Sequence, residues 1–460
     1  MKFEVEIIGR EDIRPSSSTR FHLRIFKLSL LDQLIPAPYA PIILFYTSQN
    51  DTNTLFEVLK KIESLKQSLS ETLTQFYPLG GKIKDELSID CNDEGANFVV
   101  AKVKCDLSKF LSHPNLTLLH KFLPSDDELV SKESKFGTYV TNIQVNVFQC
   151  GGIAIGTCIS HRIIDGVALA TFLKCWSERA RGCKHLMTQP KFIASSLFPT
   201  NSLWLRDLSM GMWGSLFKQG RCVTKRFLFT NKAISTLKAQ ISEKYCYDAA
   251  HDSPTRLEIV SAFLWKCLMV ASRSQFEVQR FSFVTHLVNL RRRLDEALCP
   301  DHTMGNLVWL VSAKHFSKHE MNMDDLACKL RNAISRIDKD FVDELQGEKG
   351  ISVMKDSLRE ICELRSRNEM EHFGFSSWCN LGFYEADFGW GKPTWVSCVP
   401  SNGPVFMNLI ILVDTKLRDG IEAWVTLDEH DMNHLISNPE ILNFATLDPS
   451  PLAKDNKLFP

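Results

Sequence analysis

Hydrophobic periodicity runs through most of this chain and lapses once, from about residue 184 to 222. There TQPKFIASSLFPTNSLWLRDLSMGMWGSLFKQG carries two prolines, three glycines and several serines, residues that interrupt regular structure. On both sides of the lapse, strand-like alternation and helix-like spacing are interleaved. Such a chain is constrained to two halves, each built of α/β or α+β layers, joined by a long crossover. The first half opens on alternating KFEVEII (2–8) and continues into a helix whose Leu55, Leu59, Ile62, Leu69, Leu73 and Phe76 share one face. Pro78 and the glycine pair of YPLGGK (77–82) stop that helix. In the second half, 225–230, 281–290 and 306–313 read as strands, and 231–244, 255–273, 323–340 and 351–365 as helices. VFMNLIILVD and GIEAWVTLD flank TKLRDG, a hairpin signal. The expected organisation is an N-terminal domain over 1–183, a crossover over 184–222, a C-terminal domain over 223–446 and a loose tail over 447–460.

Composition narrows the function. Lys+Arg and Asp+Glu both number 54, so the formal net charge is zero and no nucleic-acid footprint is present. The short run Arg291-Arg292-Arg293 reads as a phosphate patch or as a solvated or internally paired cluster. No apolar run approaches the ~20 residues of a membrane helix, and the start does not read as a signal peptide. Fourteen cysteines are scattered with no CxxC and no zinc-ligand spacing to histidine, so free thiols in a reducing, cytoplasmic setting are expected and no metal site is. The sequon at 115–117 is then expected to be unused.

The chemistry-bearing stretch is SHRIIDG (160–166), which follows the strand-like GGIAIGTCIS and precedes a helix with Leu169, Phe172, Leu173 and Trp176 on one face. His161 therefore stands just past a strand end, where a rigid scaffold presents functional groups. A kinase reading of HRIID together with DFG (387–389) fails, because 222 residues separate Asp165 from Asp387 and no kinase glycine-rich loop exists. Gly151 and Gly156 have P-loop spacing, but Thr157-Cys158 replace the Lys-Ser/Thr pair that reaches phosphates. No G-x-S-x-G elbow occurs. Taken alone, the residues leave His161 open between a core histidine and a base. Asp165 is equally open between a helical partner of His161 and a brace on a distant cation.

Two motifs together are more specific. HRIIDG resembles the HxxxDG motif, and DFGWGKP (387–393) the DFGWG motif, of the BAHD acyltransferases, the plant CoA-dependent enzymes. YPLGGK is similar to that family's YPLAGR, with Gly80 and Lys82 as departures, and CNDEGANF, VNLRRR, MGN and SSWCNLGFYEADFGWGKP match further stretches. The likeness covers essentially the whole chain and is nearest the vinorine-synthase group, which mostly acetylates alkaloid and other specialised-metabolite alcohols.

The resemblance implies two similar mixed-sheet α/β domains of chloramphenicol-acetyltransferase type, with a tunnel between them open at both ends. Acyl-CoA, as co-substrate, enters one end and a small-molecule alcohol the other. No cofactor is held permanently and a monomer is expected. It implies that His161 takes the alcohol's proton, while Asp165 points away and pairs with Arg291. Asp387, Gly389, Trp390 and Gly391 serve the fold. Ser376 and Trp378 align with a Thr and a Trp that face the reaction centre in hydroxycinnamoyl members, and Trp378 is open between oxyanion donor and core residue. Thr255 and Arg256 are candidates for a CoA phosphate at a helix start, or a plain cap. The expected activity is O-acetyl transfer to an alkaloid or terpenoid hydroxyl. The alternatives are transfer of a longer aliphatic acyl group to a phenolic, quinone or sugar acceptor, and a non-catalytic binder on the same fold.

Overall fold

A computed structural model describes residues 3–36, 38–48, 55–124, 136–183, 188–200, 203–241, 254–273, 281–297, 299–316, 322–366, 370–400 and 403–453. Two mixed sheets organise it. The first has six strands in the order Val5–Ile13, Ala96–Val103, Thr141–Phe148, Ile153–Ser160, Tyr39–Tyr46 and Trp395–Ser397. Its one parallel pair joins Ala96–Val103 to Thr141–Phe148, and the rest are antiparallel. Ile153–Ser160 is buried along its whole length, which suits a run of small and β-branched residues with no charge.

One face of this sheet is covered by helices Leu55–Gln75 and Gly166–Ala180, whose apolar stripes meet Ile42, Leu44, Ile143, Val145 and Ile155. Trp176 locks the two helices together, its indole N–H shared between Leu65 O and Ser68 Oγ, both at 3.1 Å. The other face packs Phe45, Phe110, Phe122 and Phe148 against Trp395 and Trp424, and so against the second half of the chain.

The second sheet has seven strands in the order Val308–His315, Phe281–Asn289, Met370–Ser377, Leu409–Asp414, Ile421–Asp428, Cys222–Phe229 and Thr446–Leu447. Met370–Ser377 runs parallel to both its neighbours. Helix Arg256–Arg273 buries Ile259, Phe263 and Trp265 in that half's core.

Four features depart from the sequence reading. The crossover contains a helix, Leu203–Leu216, despite Gly211 and Gly214, because Leu205, Met212, Trp213 and Leu216 are buried and tertiary packing outweighs local propensity. Trp395–Ser397 falls within 223–446 yet completes the edge of the first sheet. Trp395 stacks on Phe45 at 5.2 Å and on Trp424 at 5.8 Å, and a three-residue strand is too short to show a period. The tail is tied down as far as Ser450. Thr446–Leu447 pairs with Cys222–Phe229, Asp448 accepts from Lys225 Nζ (2.8 Å) and Arg226 N (2.9 Å), and Ser450 Oγ donates to Leu111 O. Buried Arg226, its guanidinium 4.8 Å from the Trp395 ring, is what the tail wraps. Finally, Cys328 is disulfide-bonded, where free thiols were expected throughout.

Candidate active site

His161 is the first residue past Ile153–Ser160, in a turn that leads directly into helix Gly166–Ala180. Its main chain is held from both sides: the N–H donates to Pro38 O at 2.9 Å, and the carbonyl accepts from Asn306 Nδ2 at 2.7 Å. The side chain is half-buried. Nδ1 is the enclosed nitrogen and, among the described residues, has no partner at hydrogen-bonding geometry. Nε2 is thus the nitrogen left for a substrate. Burial pulls the imidazole below its ordinary pKa, against smaller opposing effects of the backbone, Asp165, Asn306 and Asp32.

Asp165 turns away from His161. It caps the following helix, Oδ1 accepting from Ala168 N at 2.9 Å. Oδ2 accepts from Leu307 N at 3.1 Å and from Arg291 Nη1 at 2.7 Å, and Arg291 Nη2 completes a fork to Oδ1 at 3.2 Å. The rest of that guanidinium is spent on Thr303 O and Gly305 O. Both residues are buried, so the pair is dry and fully hydrogen-bonded, the condition under which a buried ion pair is tolerated. Gly166 follows, packed close: a Cβ there would lie 2.8 Å from Leu381 Cδ1, which would have to shift, and 3.9 Å from Trp378 Cδ1.

That contact brings Trp378 against the loop bearing His161. Trp378 and Ser376 are half-buried at the C-terminal end of Met370–Ser377, with Trp378 N donating to Leu412 O at 2.7 Å. Thr255 and Arg256 are elsewhere, opening Arg256–Arg273. Thr255 and Glu258 form a reciprocal cap, with Thr255 N to Glu258 Oε2 at 2.8 Å and Glu258 N to Thr255 Oγ1 at 3.2 Å. Arg256 Nη1 donates to Arg418 O at 2.8 Å, while its buried Nε and Nη2 have no partner among the described residues.

The DFGWG loop lies at the opposite end of the first sheet. Asp387 is beside Arg181, just past the C-terminus of the helix that Asp165 starts, roughly 20 Å away at 1.5 Å per helical residue. Asp387 Oδ1 accepts from Gly389 N (2.8 Å) and Gly391 N (3.0 Å), and both glycines take positive φ, +101° and +103°. Phe388 stacks on Trp390 and meets Trp176 edge-on, and Ala386 O accepts from Tyr46 Oη at 2.7 Å. Asp387→Ala is therefore expected to lose about 1–3 kcal/mol of stability, read by urea unfolding, with kcat unchanged.

The sequence reading missed Asp32 and did not single out Asn306. Ser29-Leu30-Leu31-Asp32 has the spacing of a capping box, and the structure forms one, which was the available signal.

A strand-end histidine, a helix-capping aspartate turned away from it onto a buried arginine, and two mixed sheets define a two-domain α/β acyltransferase. The model of the Transferase family matches residues 3–442. The chain is 43% identical to an epi-neemfruitin B 7-O-acetyltransferase of Melia azedarach, over 98% of its length and all of that protein. It is 42% identical to a limonoid 7-O-acetyltransferase of Citrus sinensis over the same shares. The crystal structure of vinorine synthase superposes with a TM-score of 0.78 at 31% identity, covering 96% of this chain and 98% of that one. The chain belongs to the BAHD family of plant acyltransferases.

Proposed function

We propose that this protein transfers an acetyl group from acetyl-CoA to a secondary hydroxyl of a terpenoid of limonoid type, as a cytoplasmic monomer. Support for the acceptor comes from two relatives above 40% identity, an epi-neemfruitin B 7-O-acetyltransferase and a limonoid 7-O-acetyltransferase, whereas stemmadenine O-acetyltransferase and salutaridinol 7-O-acetyltransferase stand at 36% and 32%. Among the described residues no helix is long and apolar enough to cross a membrane.

The observation that carries the chemistry is His161: a strand-end imidazole fixed through both main-chain groups and kept below its ordinary pKa by burial. An alcohol does not ionise at pH 7, and a neutral imidazole is the side chain matched to accept its proton as the oxygen attacks. Nε2 takes the hydroxyl proton while the oxygen bonds to the thioester carbon, whose C=O becomes an oxyanion. Collapse re-forms the carbonyl, breaks the C–S bond and releases CoA thiolate, which takes the proton back from the imidazolium. No acyl-enzyme is formed. Trp378, whose indole N–H only donates, and Ser376 are the proposed oxyanion donors. Asp165 and Arg291 hold the loop that aims the base. The unpartnered edge of Arg256, beside Thr255, suits a CoA phosphate.

The test is a panel of acyl-CoAs against terpenoid, alkaloid and phenolic alcohols, followed by release of free thiol and by product mass. Acetylation of a limonoid-type alcohol is the expected result, and no thiol release with any acceptor would sink the reading. The pH dependence has a defined sign. His161 works as the free base, so kcat/KM should fall only as pH drops through its depressed pKa, placing the acid limb below 6.5. A limb at or above 6.5 would contradict the assignment.

A further inference from the structure

We infer that Asp32 is a positioning residue for His161, acting through Asn306. The inference rests on His161 being the base. Asp32 lies in the first turn of a short helix, Leu30–Gln33, near the start of the chain, where it completes the capping box of Ser29, and the residue is 2% exposed. Four donors converge on it. Ser29 N and Ser29 Oγ donate to Oδ2 at 2.9 and 2.7 Å, and Asn306 N and Asn306 Nδ2 donate to Oδ1 at 2.6 and 2.9 Å. The other hydrogen of Asn306 Nδ2 is directed to the His161 carbonyl at 2.7 Å.

An asparagine side chain can flip, presenting oxygen where nitrogen was. Asp32 forbids the flip, because an oxygen turned toward its carboxylate would meet like partial charge. The amide nitrogen is therefore kept between two acceptors, the Asp32 carboxylate and the His161 carbonyl. Among the described residues Asn306 Oδ1 is left buried without a partner, the cost of that orientation. Gly305 accompanies the arrangement at φ +117°: a Cβ there would lie 3.0 Å from Ala194 Cβ and 3.5 Å from Asp32 Oδ1.

The neighbouring carboxylate makes the design legible. Asn306 N and Leu307 N are consecutive, and one is read by Asp32, the other by Asp165. Residues 304–307 thus form a splint behind the turn that carries His161, with Met304 N on Lys191 O and Ile164 bridged to Gly305. Asp165 secures the far end of the turn and Asp32, through Asn306, its catalytic end. Burial pushes the Asp32 carboxyl up, opposed by the Ser29 and Asn306 hydrogen bonds; since all four contacts are donors, the anion is the form that uses them in full.

Asp32→Asn and Asn306→Ala test this in the full-length enzyme, with wild type as the reference for transfer. Each is expected to lower kcat about 10²-fold, the effect of a misplacement near 1 Å, while both KM values move less than about threefold. The double variant is expected to lose no more than the worse single one, because the residues act in one chain. Asp165 and Asp32 are the charged groups that raise the imidazole's pKa, and Asp165 is neutralised by Arg291. Asp32→Asn should therefore also move the acid limb of kcat/KM to lower pH. A folded Asp32→Asn enzyme with wild-type kcat, a loss carried by KM, or losses that multiply in the double variant would each overturn the inference. Should Asp32→Asn not fold, Asn306→Ala decides by the same kcat and KM criteria. Failure of wild type to transfer acetyl would instead overturn the function proposed above.

Discussion

Replacing His161 with alanine is expected to leave a folded protein whose acetyl transfer is slower by about 10²–10⁴-fold. Folding should survive because, among the described residues, Nδ1 has no partner whose loss the structure would feel. What fixes the turn is the main chain, N–H to Pro38 O and carbonyl from Asn306, and alanine keeps both. Activity should fall because nothing nearby can take over. Asp165 is committed to Arg291, Ala168 N and Leu307 N, and Asp32 to Ser29 and Asn306. Neither carboxylate has a free lone pair aimed at the reaction centre. The measurement pairs kcat from thiol release with the melting temperature. Wild-type activity in soluble His161→Ala protein would remove the base from the mechanism. A large fall in melting temperature would show that the imidazole is a packing residue.

Much of this arrangement was legible in the sequence, and the reasons for the rest are physical. Long apolar periods in Leu55–Gln75 and Gly166–Ala180 and the uncharged run before Ser160 are local signals, and they gave helices and a central strand with little error. Local signals say nothing about partners far along the chain. Whether Asp165 faced His161 or a remote cation could not be decided from i, i+4 spacing, because both answers fit the same six residues; the family resemblance implied Arg291, and its tertiary placement, 126 positions away, shows the pair. Asp32 was invisible for the same reason, since its contact with Asn306 spans 274 positions and its capping box looks like any other. Trp395–Ser397 is the extreme case, a strand too short to have a period, which is ordered by stacking between Phe45 and Trp424. Arg291 was read first as one member of a basic run. The structure separates the three: Arg291 is buried on Asp165, Arg292 is exposed, and Arg293 is spent on Ile337 O and Asn289 O.

Asp165→Asn is expected to be the most destabilising of these single changes, at about 3–5 kcal/mol, because it strands a buried guanidinium. Arg291 is 2% exposed and cannot reach water without dismantling the splint at 304–307 and the residue before it, since it also satisfies the Thr303 and Gly305 carbonyls. Asparagine can still accept from Ala168 N, so the helix cap survives and the loss isolates the charge. One amide oxygen cannot also serve both Arg291 nitrogens and Leu307 N, and an amide N–H turned toward either would face a donor. Denaturant unfolding should show a lower midpoint at unchanged m, the signature of lost stability without a change in the surface exposed. A domain whose net stability is only about 5–15 kcal/mol would then be partly unfolded at growth temperature, so low yield of soluble protein is expected too. The folded fraction should also turn over more slowly, because the same splint holds the His161 carbonyl. Arg291→Lys separates the two effects. It keeps the positive charge beside Asp165 but loses the fork, so it should cost less stability than Asp165→Asn while still slowing turnover. An Asp165→Asn protein within about 1 kcal/mol of wild type would mean that the pair is not what holds this loop.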